Sequence, residues 1–262
     1  MSSSRLIAST VRFAVLMSVA CSLLAQAQAP VPAPAQGGGA GRGAGGGRGG
    51  GGGQAAGGAA PAARGPAAPA ARVPLFFKEE WKNETNEYEP RIGQAHLSNP
   101  NLEIKTYGPT GKEILIAGAA NNESNPIHPW TGMCTTPCGL TLKHKTQFVD
   151  LTGLARIKWN TKMSGMHQVH PVIRLASGAL LVGDFADGIV ADWQEREFSL
   201  AGIKWFNLDP ERGVTTGSVV ANPDLSKVDE VGFIDLMPGS GHGQGGWADV
   251  AKFEVYGKPV PR

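Results

Sequence analysis

The chain has 262 residues, 37 of them Gly and 19 Pro, with 18% charged residues and a formal net charge of +2. All 22 acidic residues follow residue 72, whereas six of the 24 basic ones (Arg5, Arg12, Arg42, Arg48, Arg64, Arg72) stand at or before it, so residues 1–72 carry +6 and residues 73–262, with 18 basic against 22 acidic side chains, carry −4. A mildly acidic body behind a sparse basic arm excludes the clustered basic face of a nucleic-acid-binding core, and a body of this length holds one sizeable core rather than two.

In chain order, Arg5 and Arg12 precede an apolar run over residues 13–24, and the small-residue pattern Ala25-Gln26-Ala27 follows. This is the layout of a secretory signal peptide, and the run is too short to span a bilayer. Residues 1–27 are therefore predicted to be a signal peptide. The protein is expected in a periplasm, at the cell envelope or secreted, with no membrane span left after cleavage. Residues 28–72 are almost entirely Ala, Gly, Pro and Gln with four Arg, too poor in apolar groups to offset the entropy of folding. They read as a disordered linker with a root-mean-square reach of about 35–40 Å. The Gly-Arg-Gly pieces around Arg42 and Arg48 lack the aromatic residues that a single-stranded nucleic acid would stack on.

From residue 73 onward no ten-residue window shows the apolar spacing of an amphipathic helix, and alternating runs recur instead. In the clearest, residues 155–163, Ala155, Ile157, Trp159, Thr161 and Met163 share one face while Arg156, Lys158, Asn160 and Lys162 share the other. Similar runs cover 102–105, 114–116, 172–175, 180–182, 198–200, 203–205, 231–237 and 251–256. Gly- and Pro-containing turns separate them. Nine or more strands, each with one wetted face, predict an all-β fold: a two-sheet antiparallel β-sandwich over residues 73–262, most economically a jelly roll.

Beyond the signal peptide the two cysteines, Cys134 and Cys138, bracket a Pro-containing turn, and in an exported chain they are expected to form a local disulfide. That bridge would stiffen the nearby loop carrying His128, Pro129 and Trp130. An aromatic ring on a stiff loop suits the flat C–H face of a pyranose. Trp81, Trp159 and Trp205 are expected in the core, and Trp130, Trp193 and Trp247, in turn-rich surroundings, are the expected sugar-stacking rings. Asp184, Asp187 and Asp192 crowd one turn-rich stretch. They suit a calcium loop, a set of acceptors for sugar hydroxyls, or Asp residues capping their own turns. His170 and Arg174 share strand parity, with Arg174 free to pair across a hairpin with Asp184 or Asp187. His242 lies in the Gly-rich stretch over residues 238–247.

The end of the chain, residues 224–233 followed by a Gly-rich loop and Ala251-Lys252-Phe253-Glu254-Val255-Tyr256, resembles the closing strands of galactose-binding-like jelly rolls over about residues 222–257. The resemblance implies a core strand, a loop and a last strand returning beside the first. It also implies a fold used mainly for carbohydrate-binding modules, often with a structural calcium ion. The leading expectation is a non-catalytic module for a carbohydrate polymer or cell-envelope glycan, contacted by Trp130, His128, His170, Arg174, Asp187, Trp193, His242 and Trp247, with Ca2+ at Asp184, Asp187 and Asp192 as the one candidate cofactor. A polysaccharide hydrolase or lyase, and a structural sandwich without a small ligand, are the alternatives.

Overall fold

A computed structural model describes residues 72–85, 87–188, 190–238 and 245–262. The predicted signal peptide, the arm up to residue 71 and His242 lie outside the described residues. Among the described residues, sixteen strands follow in chain order. They are β1 (Leu75–Glu79), β2 (Leu102–Tyr107), β3 (Leu115–Ala117), β4 (His128–Trp130), β5 (Cys138–His144), β6 (Gln147–Asp150), β7 (Arg156–Ser164) and β8 (Gln168–Leu175), then β9 (Leu180–Gly183), β10 (Asp187–Gly188), β11 (Gln194–Ser199), β12 (Trp205–Asp209), β13 (Val214–Val219), β14 (Val228–Asp235), β15 (Trp247–Tyr256) and β16 (Lys258–Pro261).

They form the expected antiparallel sandwich. A six-stranded sheet runs β11-β7-β15-β4-β3, with β1 on the same edge of β15 as β4, and a ten-stranded sheet runs β13-β12-β9-β8-β14-β5-β2 with β10, β6 and β16 at its margins. The chain passes repeatedly from one sheet to the other, which is jelly-roll winding. The last strand of the six-stranded sheet, β15, returns beside β1, with Phe77 opposite Val255.

Strand β7 shows why the sandwich forms. Ile157, Trp159, Thr161 and Met163 are buried while the alternate residues are half-exposed, so the period-2 pattern puts one apolar face inward. Opposite it, β14 sends Val231 and Phe233 into the same core. Trp81, Trp159 and Trp205 are interior, as predicted. Burying a large apolar side chain contributes roughly 1.5–3 kcal/mol, so such facing rows supply the main drive to fold.

The disulfide joins Cys134 to Cys138, both about 1% exposed. On the chain-entropy estimate, so short a loop gives about 2 kcal/mol. Cys138 also opens β5, a strand the alternation did not reveal, because Gly139 and the bridge interrupt its apolar pattern.

Candidate functional site

The expected ligand residues separate onto two surfaces, and the reason is the sheet to which each strand belongs. Trp130 ends β4 and Trp247 begins β15, both in the six-stranded sheet. His170 and Arg174 lie on β8 in the ten-stranded one.

On the six-stranded sheet the inward residues of β15 are Ala248, Val250, Phe253 and Val255, so Trp247 and Asp249 face outward. Asp249 sits in one cross-strand row between Trp130 of β4 and Lys162 of β7. The indole N–H of Trp247 donates to Asp249 Oδ2 at 3.1 Å. Trp193, just before β11, reaches back to this face: its ring meets the His128 imidazole edge-on at 5.0 Å, and its N–H donates to Ser124 O at 3.2 Å. The indole of Trp130 folds down over Gly132, where a Cβ would come within 2.4 Å of Cζ2. Three indoles from three distant segments thus gather on one face, each half-buried. The stiff loop expected at 128–130 is instead a short strand, because His128 to Trp130 pairs with β3.

Under the indoles lies a buried acid and base. His128 Nδ1 donates to Pro126 O at 2.6 Å, and its Nε2 faces Asp249 Oδ1 at 3.5 Å. Both side chains are about 95% shielded, and an isolated charge there has no water to solvate it. Burial pushes His128 down to about 4 and Asp249 up to about 8, the Trp247 hydrogen bond and the Lys162 charge opposing only part of the rise. Between these values the pair is neutral, with the proton on the carboxyl.

The sign of the resulting stability change follows from proton counting. From pH 4 to 6.5 the folded chain holds the Asp249 proton and the unfolded chain holds the His128 proton, so the two nearly cancel. Above 6.5 the unfolded chain holds neither. Stability is then expected to fall by about 2 kcal/mol as pH rises from 6.5 to 8, at about 1.4 kcal/mol per pH unit. The other histidines with depressed values, His96, His144 and His170, act below 6.5 and leave this window clear. Urea midpoints at half-unit steps should show the decline in the parent chain and a flat profile in Asp249→Asn. A flat profile in the parent would remove the neutral-pair assignment.

A hydroxyl and a carboxylate hold this face in place from behind. Thr131 Oγ1 accepts from Ala248 N at 2.8 Å and donates to Asp235 Oδ2 at 3.0 Å. Asp235 also accepts from His167 Nδ1 at 2.6 Å and Met237 N at 3.0 Å. Gly246, at φ +133°, lets the chain pass over His167, whose Cδ2 would lie 2.4 Å from a Cβ there. Asp249, Lys162, Thr131 and Asp235 were not singled out from the sequence. The available signal was parity: Asp249 is two residues from Trp247, and Lys162 was already on the polar face of the best-defined strand.

The other surface carries the remaining expected residues. Arg174 does not pair with Asp184 or Asp187. Its register partner on β14 is Glu230, with Nε 3.1 Å from Oε1, and Nη1 and Nη2 donate to Gly178 O and the Tyr107 hydroxyl. Tyr107 in turn donates to Glu230 at 2.5 Å, and burial together with that bond pushes its hydroxyl up to about 12. Arg174 is therefore held inside a network. His170 lines a shallow, mainly apolar pocket with Val182, Phe206, Thr215 and Leu236.

The three aspartates do not converge. Asp187 turns inward, 6% exposed, and its Oδ2 accepts from Trp159 Nε1 at 3.0 Å and Thr161 Oγ1 at 2.8 Å. Asp184 is exposed and accepts from Lys204 N at 2.9 Å, pinning β9 to β12. Asp192 is exposed on the approach to β11. Among the described residues no group of three or more His, Cys, Asp or Glu side chains could hold a metal ion.

No known family profile and no curated protein matches the sequence. Among solved structures, the chain is similar to the family 11 carbohydrate-binding module of the cellulosomal cellulase Lic26A-Cel5E of Clostridium thermocellum, at 11% identity and TM-score 0.38 over 66% of this chain and 97% of that one. It is similar also to the module TmCBM61 in complex with beta-1,4-galactotriose, at 12% identity and TM-score 0.29 over 60% and 88%. An exo-beta-agarase matches at 12% identity and TM-score 0.36 over 67% of this chain and 26% of its own.

Proposed function

We propose that the protein is an exported carbohydrate-binding module that takes a glycan on the outer face of its six-stranded sheet. The observation that carries this reading is the division of the six tryptophans: three fill the interior, and Trp130, Trp193 and Trp247 lie on one outer face around His128 and Asp249. Folding drives indoles inward, so three half-buried rings at one place leave an apolar, rigid platform. Two of them already satisfy their N–H groups within the protein, which leaves ring surface rather than polar edges for a sugar's C–H face. The apolar run and the 45-residue arm ahead of the sandwich support export and a tethered module. His170 and Arg174 lie on the other sheet from His128 and Asp249, which favours binding over the hydrolase or lyase alternative, since those reactions need convergent titratable groups.

Losing one platform ring is expected to weaken polysaccharide affinity about tenfold. Affinity electrophoresis of the full chain through gels of neutral and acidic polysaccharides should show retardation by at least one polymer, reduced in Trp247→Ala and Trp130→Ala. Retardation unchanged in both variants, at unchanged thermal midpoint, would place the site elsewhere.

A further inference from the structure

Resting on the binding reading above, we infer that the tryptophan face selects an acidic glycan, with the Lys162 ammonium receiving the carboxylate or sulfate of a sugar unit stacked on the neighbouring indoles. The outer face of the six-stranded sheet carries a row of cations, and most are already neutralised. Arg156 pairs with Glu197 and lies 3.8 Å over the Tyr256 ring, Lys158 pairs with Glu195, and Lys252 pairs with Glu195 and Glu254. Lys162 continues the same strand face and differs from them. Among the described residues its ammonium has neither an ion pair nor a hydrogen bond, although its backbone is in the β7–β15 ladder.

Its position explains both the vacancy and its use. The carboxyl directly across the strand pair is Asp249, which burial keeps protonated up to about pH 8, so this cross-strand neighbour offers Lys162 no countercharge. Trp247, opposite Ser164, stands diagonal to Lys162 on the same face. Diagonal cross-strand neighbours lie about 7–8 Å apart, within reach of long side chains. A pyranose resting on the indole therefore has its exocyclic substituent within range of the ammonium. An uncompensated charge beside apolar ring surface favours an anion over a neutral hydroxyl, because charge-assisted hydrogen bonds are about twice as strong as neutral ones. The paired ladder farther along the sheet offers an acidic polymer no comparable charge.

The test uses the full chain with polygalacturonate, its carboxyl-reduced neutral counterpart and a sulfated galactan, by isothermal titration and gel retardation at 50 and 300 mM salt. The expected result is binding to an acidic polymer at least tenfold tighter than to the neutral one, weakened by salt, with Lys162→Gln losing the preference and most of the salt dependence and Lys158→Gln keeping both. The two acidic polymers separate carboxylate from sulfate as the preferred group, and preference for either supports the inference. Equal affinity for the acidic and reduced polymers, or an unchanged preference in Lys162→Gln, would overturn it, and the underlying binding reading would stand if Trp247→Ala still reduced retention. Free migration of the parent chain through every gel would overturn the binding reading itself.

Discussion

Asp187→Ala is expected to destabilise the protein by about 4 kcal/mol, a large fraction of the total for a domain of this size. The carboxylate sits between the sheets at 6% exposure, on β10 of the ten-stranded sheet, and accepts from two buried donors of β7 in the other sheet, the Trp159 indole and the Thr161 hydroxyl. Truncation leaves both donors without a partner at roughly 1–3 kcal/mol each, and it releases Arg196, whose Nε lies 3.7 Å from Oδ1. Asp187→Asn retains an acceptor oxygen for the two donors and removes only the charge, so it should recover more than half of the loss. Urea denaturation of the three proteins decides between a structural carboxylate and one displayed for ligand. An unchanged midpoint in Asp187→Ala would contradict the inward assignment.

The second large effect is expected at Asp235, which is 1% exposed and holds three donors, the Thr131 hydroxyl, the His167 imidazole and the Met237 amide. Removing its carboxylate should cost about 4–5 kcal/mol by the same reasoning. It should also do something Asp187→Ala does not. Thr131 lies between Trp130 and the β15 backbone and accepts from Ala248 N, next to Trp247, so Asp235 positions two rings of the proposed platform. Because Asp235→Ala is a candidate for misfolding, Thr131→Val supplies the milder variant. Its expected signature is a loss of polysaccharide retention with the interior tryptophans still protected from acrylamide quenching. Retention equal to the parent chain would show that the face keeps its geometry without this support.

Alternation marked part or all of nine of the sixteen described strands, where a strand has one apolar and one wetted face, and it did not mark β1, β6, β10, β13 or β16. Residues 155–163 are the example, matching β7 to within one residue at either end with the inward set correctly assigned. The return of the last long strand beside the first was legible too, through the resemblance at the chain's end. Strands β4 and β5 were not, because a proline, a glycine and the disulfide interrupt their pattern within three to seven residues. Composition and local pattern were enough to assign the all-β class, the local disulfide and the six tryptophans to three interior and three peripheral positions. Only the tertiary structure decided which peripheral residues meet. It placed Trp130, Trp193, Trp247 and His128 on one face with Asp249 and Lys162, put His170 and Arg174 on the opposite sheet, and turned Asp187 inward. The physical reason is that a strand's parity tells which residues share a face, while cross-strand register and the choice of sheet, set by contacts between segments tens of residues apart, decide which faces coincide.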